Sequence, residues 1–562
     1  MSYGDSRIAS LESIRKGSFA APLFFASFAL ACLGSQVGAV WPWAGSALAL
    51  VVAGWCAGPQ RAAGASALSL ALAAYLALVV ASALALSPAY TPAALYHALL
   101  LGLGFAVLRR ATPAMLKAAV VAAASAVAVL AVWGLVQVGI QGAGRATAVF
   151  ETPATFAAIM NLVLLPTLVG LAGGARGAWR NALAVLVAAA LFSAASRGGL
   201  IAFAGALGVA AILVRRADRL RAGPLVRVSS LIAAGWFLAF LLRILAATAA
   251  TEALPGDTAR AESSLSRLEL YAVSLDAWRD RPLLGTGYLT FRYVLEQKRA
   301  DVPSYGDSQE TWFVHNDYLQ SLQELGLPGF AAFLILVTLP GLLAYRRVPA
   351  LPEPARIPVV ASTSALASMA LHALVDFPFY IPACLLLYGA QLGVVDASLR
   401  GAGEPRPSQS RSHAGYRAAR AVAGTLAAIV LLRPLAAEAA AEWGLLKFSQ
   451  GAGPSAARWL GAARIIEPRD WRYHWYEGRF WEAQAADSGK REAAQLAAQA
   501  YGAGFEANPL EVKNLLGMIS VQSRYRSLLD APADSATLRQ WRSRARELAP
   551  LSPEVRRELD RP

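Results

Sequence analysis

The chain has little charge, little cysteine and little histidine for its 562 residues. Charged side chains make up 15% of the sequence, with three cysteines and five histidines. The cysteines, Cys32, Cys56 and Cys384, all lie inside apolar runs, and no C-x-x-C pair occurs. Neither a disulfide framework nor a zinc site based on paired cysteines is therefore supported.

Several well-known catalytic motifs are also missing from the sequence. H-E-x-x-H, the P-loop, G-x-S-x-G and D-x-D do not occur, which argues against a metalloprotease, an ATPase, a serine hydrolase and a metal-dependent glycosyltransferase. The net charge of +15 comes from arginines that separate apolar runs, rather than from one basic patch or arm. This pattern argues against nucleic-acid binding.

Apolar residues, in contrast, make up 56% of the chain, more than a soluble domain of this size needs. About thirteen runs are long enough to cross a bilayer, and because several are short or glycine-rich we expect twelve or thirteen spans. The sequence therefore predicts an all-α, polytopic membrane protein. The runs lie near 19–34, 37–57, 63–87, 92–108, 114–140, 153–173, 181–195, 199–214, 226–249, 328–345, 357–375, 378–398 and 418–436.

Cationic side chains are divided unevenly between the gaps that separate these runs. The N-terminal tail and the even-numbered gaps hold most of them, whereas the short odd-numbered gaps hold only Arg145 and Arg197. Since cytoplasmic segments carry the excess of cations, we expect a cytoplasmic N-terminus. The predicted order is a tail over 1–18, nine spans over 19–249, a large external loop over 250–327, four spans over 328–436 and an external helical domain over 437–562.

The C-terminal region changes to a polar, alanine-rich and aromatic composition. Two segments of similar pattern end at Pro468 and Pro509, which resembles the helix pairs of tetratricopeptide repeats, although their spacing of 41 residues departs from the usual 34. We expect a degenerate, tetratricopeptide-like helical domain. It serves either as a docking surface for an acceptor or partner, or as a stabilising cap.

Residues 312–330, WFVHNDYLQSLQELGLPGF, set a polar segment directly against an apolar run. Polar side chains at positions 316, 320 and 323 share one face, so 316–325 is predicted to form a short amphipathic helix. Gly326 is suited to end that helix, and Pro328 to begin the next one. The pattern places the imidazole of His315 at the membrane surface.

His315-Asn316, nine residues and then Gly326-Leu327-Pro328-Gly329 resemble the H-[NSQ]-x9-G-x-x-G motif of the bacterial O-antigen ligase superfamily. That superfamily includes O-antigen ligases, O-linked protein oligosaccharyltransferases and some polysaccharide polymerases. The resemblance covers roughly residues 140–400. It implies a multi-pass protein of the bacterial inner membrane whose catalytic loop is periplasmic.

Three arginines on the predicted external face fit the same resemblance. Arg197, in S-R-G-G, is a costly charge at the outer ends of two spans, and it is either functional or extends to the lipid headgroups. Arg267 precedes a helix and a P-L-x-G-x-G segment like that of the family's large loop. Arg145 resembles the start of the family's R-x7-P segment, although Ala154 stands where asparagine usually follows the proline.

The family transfers a glycan from undecaprenyl diphosphate to an acceptor hydroxyl. The resemblance therefore implies that Arg197 and Arg267, with Arg145 in support, bind the donor diphosphate, since guanidinium groups pair with phosphate oxygens at any working pH. It also implies that His315 activates or positions the acceptor. On this reading the enzyme needs neither a metal nor another cofactor.

Four further residues are predicted to support the site. Asn316 and Asp317 are adjacent to His315 and are candidates to orient it. His372 and Asp376 lie four residues apart on one helical face and could pair. For that pair, a structural contact within the bundle and a supporting role in catalysis both remain open.

The acceptor is left open by the sequence. Lipid A core, serine or threonine of a secreted protein, and another lipid-linked glycan are the three alternatives within the family. A transporter or flippase of lipid-linked sugars is the alternative of another class. It would be expected to show charges in mid-span and a repeat between its two halves, and neither is evident.

Overall fold

The computed structural model describes residues 22–34, 40–56, 65–217, 222–249, 257–302, 311–400, 432–529 and 536–560. Within these ranges the chain is helical and forms no strand. Up to residue 400 the helices are α1 Pro22–Leu33, α2 Val40–Cys56, α3 Ala67–Leu86, α4 Thr91–Leu108, α5 Pro113–Gly139, α6 Pro153–Ala172, α7 Ala178–Ala194, α8 Arg197–Arg216, α9 Ala222–Ala249, α10 Asp257–Asp280, α11 Phe291–Gln297, α12 Asp317–Arg347, α13 Glu353–His372 and α14 Pro382–Arg400.

Eight of the described helices are long and apolar enough to cross a membrane: α3, α4, α5, α6, α8, α9, α12 and α14. Shorter apolar helices occur over Pro22–Leu33, Trp41–Val52 and Ala178–Ala194. The chain is therefore a multi-pass membrane protein, whereas the predicted total of twelve or thirteen spans stays a prediction. The predicted tail over 1–18 and most of the predicted span over 418–436 lie outside the described residues.

Glycines allow α4 and α14 to pack with their backbones in contact. A Cβ atom on Gly104 would lie 2.6 Å from the carbonyl oxygen of Leu386, and one on Gly393 would lie 2.6 Å from that of Phe105. Such close approach between small residues is a common way of joining helices in a membrane, where dispersion rather than the hydrophobic effect holds them together. This contact joins α4 to α14, the last described helix before the C-terminal domain.

The segment between α9 and α12, called the external segment here after its predicted location, is anchored to a break in α12. Gly326 has φ 66° and ψ −170°, a conformation essentially confined to glycine, and it separates the polar turn 317–325 from the long apolar part of the helix. The loop after α10 binds this break by three backbone hydrogen bonds: Thr286 N to Gln323 O (2.9 Å), Gly287 N to Glu324 O (3.0 Å) and Leu327 N to Pro282 O (2.9 Å). The break predicted at Gly326 is thus confirmed.

The C-terminal domain is a stack of helices. They are α15 over 432–449, α16 Gly453–Ile466, α17 Trp471–Ser488, α18 Arg491–Ala507, α19 Val512–Arg524, α20 Arg526–Leu529, α21 Ala536–Leu548 and α22 Pro553–Leu559. Their assignment to the tetratricopeptide type remains a prediction.

This domain lies against the external segment. The guanidinium of Arg292 donates to the carboxylate of Glu511 over 2.7 Å, and the amide of Asn508 donates to the hydroxyl of Tyr293 over 2.9 Å. Glu511 is almost fully buried, with 3% of its side chain exposed, so this ion pair lies in a buried interface between the C-terminal domain and the external segment. The helical domain and the segment that carries His315 therefore occupy the same face of the protein.

Candidate active site

His315 occupies a strained position directly before α12. Its φ is 59°, in the left-handed region that residues other than glycine seldom adopt. Two contacts hold the backbone there: the Tyr271 hydroxyl donates to the His315 carbonyl (3.1 Å), and the Asn316 side chain caps α12 by accepting from the backbone N–H groups of Tyr318 and Leu319. Strain of this kind persists only where the surroundings impose it, and it is common at functional sites.

The imidazole of His315 is oriented by Asp376. Its Nδ1 lies 3.2 Å from Oδ1 of Asp376. Nδ1–H donates to the carboxylate, so the neutral ring keeps its lone pair on Nε2, the nitrogen that can accept a proton from a hydroxyl. The His315 side chain is 19% exposed and that of Asp376 only 4%, so the ring can meet a substrate while its partner stays buried.

The turn that contains Asp376 is built onto the start of α12. The backbone N–H of Asp317 donates to the carbonyl of Ala373 (2.8 Å), and the Asp317 carboxylate accepts from the N–H of Phe379 (2.9 Å). Neither the Asp317 nor the Asn316 side chain bonds the His315 ring. The sequence proposed these two neighbours as orienting groups, but the contact comes from Asp376, and Asp317 acts by fixing the turn that carries it.

The electrostatics of the pair keep Asp376 ionised. Burial alone would raise the pKa of this carboxyl, but the hydrogen bond from His315 and the nearby cationic groups, including Arg267, outweigh burial and hold the pKa below its ordinary value. A carboxylate next to the imidazole would stabilise the imidazolium that forms when His315 accepts a proton.

The predicted pair of His372 and Asp376 is looser than the His315 contact. Nε2 of His372 lies 3.8 Å from Oδ2 of Asp376, beyond hydrogen-bond distance. His372 is buried, with 1% of its side chain exposed. One carboxylate therefore faces two imidazoles, and only His315 is close enough to receive its hydrogen bond.

Arg197 is the first residue of α8, beside the same cluster. Ser196 caps the helix by accepting from the N–H of Gly199 (3.2 Å). Gly198 packs against the end of α13, since a Cβ there would lie 2.6 Å from Val375 Cγ2 and 3.5 Å from His372 Nε2. The S-R-G-G sequence thus gives the start of α8 room to reach His372, and it places Arg197 at the rim of the site.

Arg267 approaches from α10. It is half-buried and lies one helical turn before Tyr271, which binds the His315 backbone. Burial raises the pKa of the Tyr271 hydroxyl, and the positive charge of Arg267 opposes that rise. The charge of Arg267 also acts on Asp376, so α10 brings a guanidinium to the His315 cluster.

Arg145, which is predicted to support the binding of the donor diphosphate, bonds two backbone carbonyls. Its Nε donates to the carbonyl of Ala194 (3.1 Å) and its Nη2 to that of Ala195 (2.9 Å). These carbonyls end α7, where Ala195 takes a left-handed conformation with φ 48° before the chain turns into Ser196 and Arg197. Arg145 therefore holds the turn that presents Arg197.

Two further residues join these groups without having been singled out from the sequence. Tyr271, in α10, holds the backbone of His315 through its hydroxyl, and no sequence motif marks it. Arg243 lies in the apolar α9, and its Nη2 donates to the carbonyl of Ser193 near the end of α7 (3.1 Å). A cation within an apolar run is the signal that could have found Arg243.

The cluster around His315 combines imidazole, carboxylate and guanidinium side chains. Among the described residues, no group of three or more histidine, cysteine, aspartate or glutamate side chains is arranged to hold a metal ion. Arg197 and Arg267 supply planar cations, a type of side chain that suits phosphate oxygens.

The comparison with protein families agrees with the motif found at His315. Residues 182–334 match the family model described as O-antigen ligase. The matched segment runs from α7 into the second part of α12 and includes Arg197, Arg267 and His315. No curated protein gives a significant match to the chain. This match supports the O-antigen ligase superfamily that the sequence motif predicted, and it suggests a membrane glycan transferase of the ligase or polymerase type.

Proposed function

From its similarity to the O-antigen ligase family over residues 182–334, we propose that this chain is a metal-independent glycosyltransferase that moves a glycan from undecaprenyl diphosphate to an acceptor hydroxyl. The reaction takes place at the periplasmic face of the bacterial inner membrane. The observation that carries the proposal is the contact of His315 with Asp376, next to the start of α8 that presents Arg197.

In the proposed reaction, His315 acts as the general base. Nε2 takes the proton from the acceptor hydroxyl as its oxygen attacks the anomeric carbon of the donor sugar. The bond between that carbon and the diphosphate oxygen breaks, and undecaprenyl diphosphate leaves with the bonding electrons. Direct displacement of this kind inverts the anomeric centre, and Asp376 stabilises the protonated imidazole.

The arginines stabilise the leaving diphosphate as its charge grows. Arg197 and Arg267 bind its oxygens through paired N–H donors, and the N-terminus of α8 adds the positive end of a helix dipole. Arg145 supports this arrangement through the carbonyls of Ala194 and Ala195. Together these groups supply the charge stabilisation for which many glycosyltransferases use a divalent cation.

A ligase-like acceptor is the leading candidate, with a protein hydroxyl or a second lipid-linked glycan as alternatives within the family. The C-terminal domain bears on this choice because it packs on the external segment through Arg292 and Glu511. It is therefore positioned to present an acceptor, or to guide a growing chain, next to the reaction centre. The alternative of another class remains a transporter of lipid-linked sugars.

The test is a transfer assay with purified protein in detergent, an undecaprenyl-diphosphate glycan from the host, and each acceptor class in turn. We expect consumption of the donor in EDTA, and mass spectrometry of the product names the acceptor. Proteoliposomes loaded with the same donor measure flux in parallel. Flux of the donor without transfer to any acceptor would favour the transporter over the transferase. Loss of transfer in EDTA would contradict the arginine mechanism.

A further inference from the structure

A cavity of about 300 Å³ lies where three parts of the protein meet. The first turns of α2 and α4 contribute Trp43 and Tyr96, and the external segment contributes Arg292 and Trp312. The C-terminal domain contributes residues from α17 and its neighbours. None of its lining residues belongs to the His315 cluster. The cavity is therefore a separate feature, and the reaction proposed above leaves it unused.

The lining is rich in aromatic rings that also carry polar groups. Tryptophan and tyrosine make up about half of it, with Trp471, Trp475 and Tyr476 on one helix of the C-terminal domain and Trp312 opposite. Such side chains offer an apolar face together with a hydrogen-bonding N–H or O–H. A sugar ring is built in the complementary way, with C–H groups on its faces and hydroxyls around its edge.

Most of the charges around the cavity are paired. Arg292 bonds Glu511 (2.7 Å), and Arg472 donates to both oxygens of Asp470 through Nε (3.0 and 3.1 Å). Paired charges give no strong field of one sign, so they do not favour an ion such as a free phosphate. They do provide donors and acceptors side by side, as recognition of neighbouring hydroxyls requires.

A second cavity, of about 350 Å³, continues the first along the C-terminal domain. The two share Trp475 and Lys513 in their linings. The second is lined by further mixed charges, including Arg524, which lies 3.5 Å from the carboxylate of Glu482. Because they share two lining residues, the cavities are adjacent. Together they form what we call the track, whose two neighbouring hollows suit a chain of linked rings better than a single small molecule.

The track begins close to the proposed reaction centre. Trp312 lines the first cavity and lies three residues before His315, a separation that an extended chain spans in roughly 10 Å. Phe313, between them, stacks on Phe377 with 4.1 Å between ring centroids, and Phe377 in turn packs against the His315 ring. Trp312 in the cavity wall is therefore connected to the His315 ring through Phe313 and Phe377.

We infer that this track, from the Trp312 cavity to the Trp475 cavity, binds the sugar rings of a glycan next to the site of transfer. The inference rests on the proposed function, because it takes its ligand to be the glycan of the donor or of the acceptor. Stacking on Trp475 and Tyr476 and hydrogen bonds to the paired charges hold the chain, and the end nearest Trp312 is the one presented to His315.

The test compares Trp475→Ala with Trp459→Ala in the full-length protein. Trp459 is a matched control, since it is an indole of the same domain, 43% exposed and outside both cavities. Isothermal titration calorimetry with the host's surface oligosaccharide, released by mild acid, measures binding without any transfer. We expect Trp475→Ala to weaken binding about tenfold, as is usual for removal of a well-packed aromatic anchor, and Trp459→Ala to bind like the wild type.

Trp475→Phe separates loss of stacking from loss of fold, because it keeps a ring at the same position. It should retain binding within about threefold, and thermal unfolding confirms that all three variants are folded. Equal binding by wild type, Trp475→Ala and Trp459→Ala would overturn the inference. Since this binding needs no donor lipid, failure of the proposed transfer reaction would not be mistaken for failure of the glycan track.

Kinetics then identify the source of the glycan. Donors and acceptors with one and with several sugar units are compared in the transfer assay, with the partner substrate held constant. A rise of about tenfold in KM of Trp475→Ala for the longer donor, with kcat changed less than twofold, assigns the track to the donor glycan, and the same rise for the longer acceptor assigns it to the acceptor. No change in KM for either substrate would contradict a role in transfer.

Discussion

Gly326→Ala should damage the protein far more than an ordinary exchange of glycine for alanine in a helix. Gly326 has φ 66° and ψ −170°, so any side chain there is strained, at a cost of roughly 1–3 kcal/mol. The new Cβ would also lie 2.5 Å from the carbonyl carbon of Leu283 and 2.9 Å from the backbone nitrogen of Leu284. These are backbone atoms, so they cannot move aside as a flexible side chain would.

The steric overlap adds roughly 1–3 kcal/mol, the usual cost of overpacking. The total destabilisation is therefore about 2–6 kcal/mol. Gly341→Ala is the matched control: it lies in the same helix, nothing is within 4 Å of its Cβ position, and its φ is not positive. Alanine in such a helical position is expected to stabilise by about 0.5–1 kcal/mol.

The assay is thermal unfolding of both variants in the same detergent, together with glycan transfer. Gly326→Ala should unfold at a clearly lower temperature and lose activity, because the loop over 282–287 holds the segment that starts at His315. Gly341→Ala should unfold at the wild-type temperature or slightly above and keep its activity. Equal unfolding temperatures for the two variants would refute the role assigned to the break.

The remaining predictions concern buried charges. Asp376→Asn should lower kcat by about 10²–10⁴ with little change in fold, because the charge that stabilises protonated His315 is lost; a wild-type kcat would contradict it. Since the folded-state pKa of Asp376 is below its ordinary 3.8, its contribution to stability is present above that pH and is lost as the pH falls through the lower folded value. Below pH 3.8, the free energy of unfolding of Asp376→Asn should therefore fall less steeply with decreasing pH than that of the wild type. An identical pH dependence of the two proteins would contradict the lowered pKa of Asp376. Arg109→Met removes the closest cation, 2.6 Å away, from buried Asp396 but leaves Arg400 3.1 Å away. It should destabilise by about 2 kcal/mol in denaturant unfolding, the usual contribution of a hydrogen bond to a charged group, and an unchanged free energy of unfolding would contradict it.

Periodic and local signals account for most of what the sequence could predict about the fold. Apolar runs indicate helices directly, and the break at Gly326 follows from a glycine and a proline set between a polar and an apolar segment. The number of spans is harder to predict because short or polar helices such as α13, with buried Ser362, Thr363 and Ser364, are stabilised by packing against neighbours. Composition alone does not record such packing.

The same distinction applies to the candidate site: residues in local motifs can be predicted, whereas contacts between residues distant in sequence cannot. His315, Arg197 and Arg267 were recognisable because each stands in a motif or interrupts an apolar run. The partner of His315 was assigned to its sequence neighbours, whereas Asp376 is 61 residues away and reaches it through the fold. The support of phosphate binding by Arg145 stays a prediction, and its carbonyl partners at the end of α7 are visible only in three dimensions.

The central claim is that His315 handles the acceptor while the arginines handle the diphosphate. The most direct measurement is donor binding and single-turnover transfer in parallel, with His315→Ala and Arg267→Ala compared with wild type. His315→Ala should bind the undecaprenyl-diphosphate glycan with near wild-type affinity and fail to transfer it, whereas Arg267→Ala should lose both affinity and transfer. Full transfer by a folded His315→Ala, or unchanged donor affinity in Arg267→Ala, would contradict this division of roles.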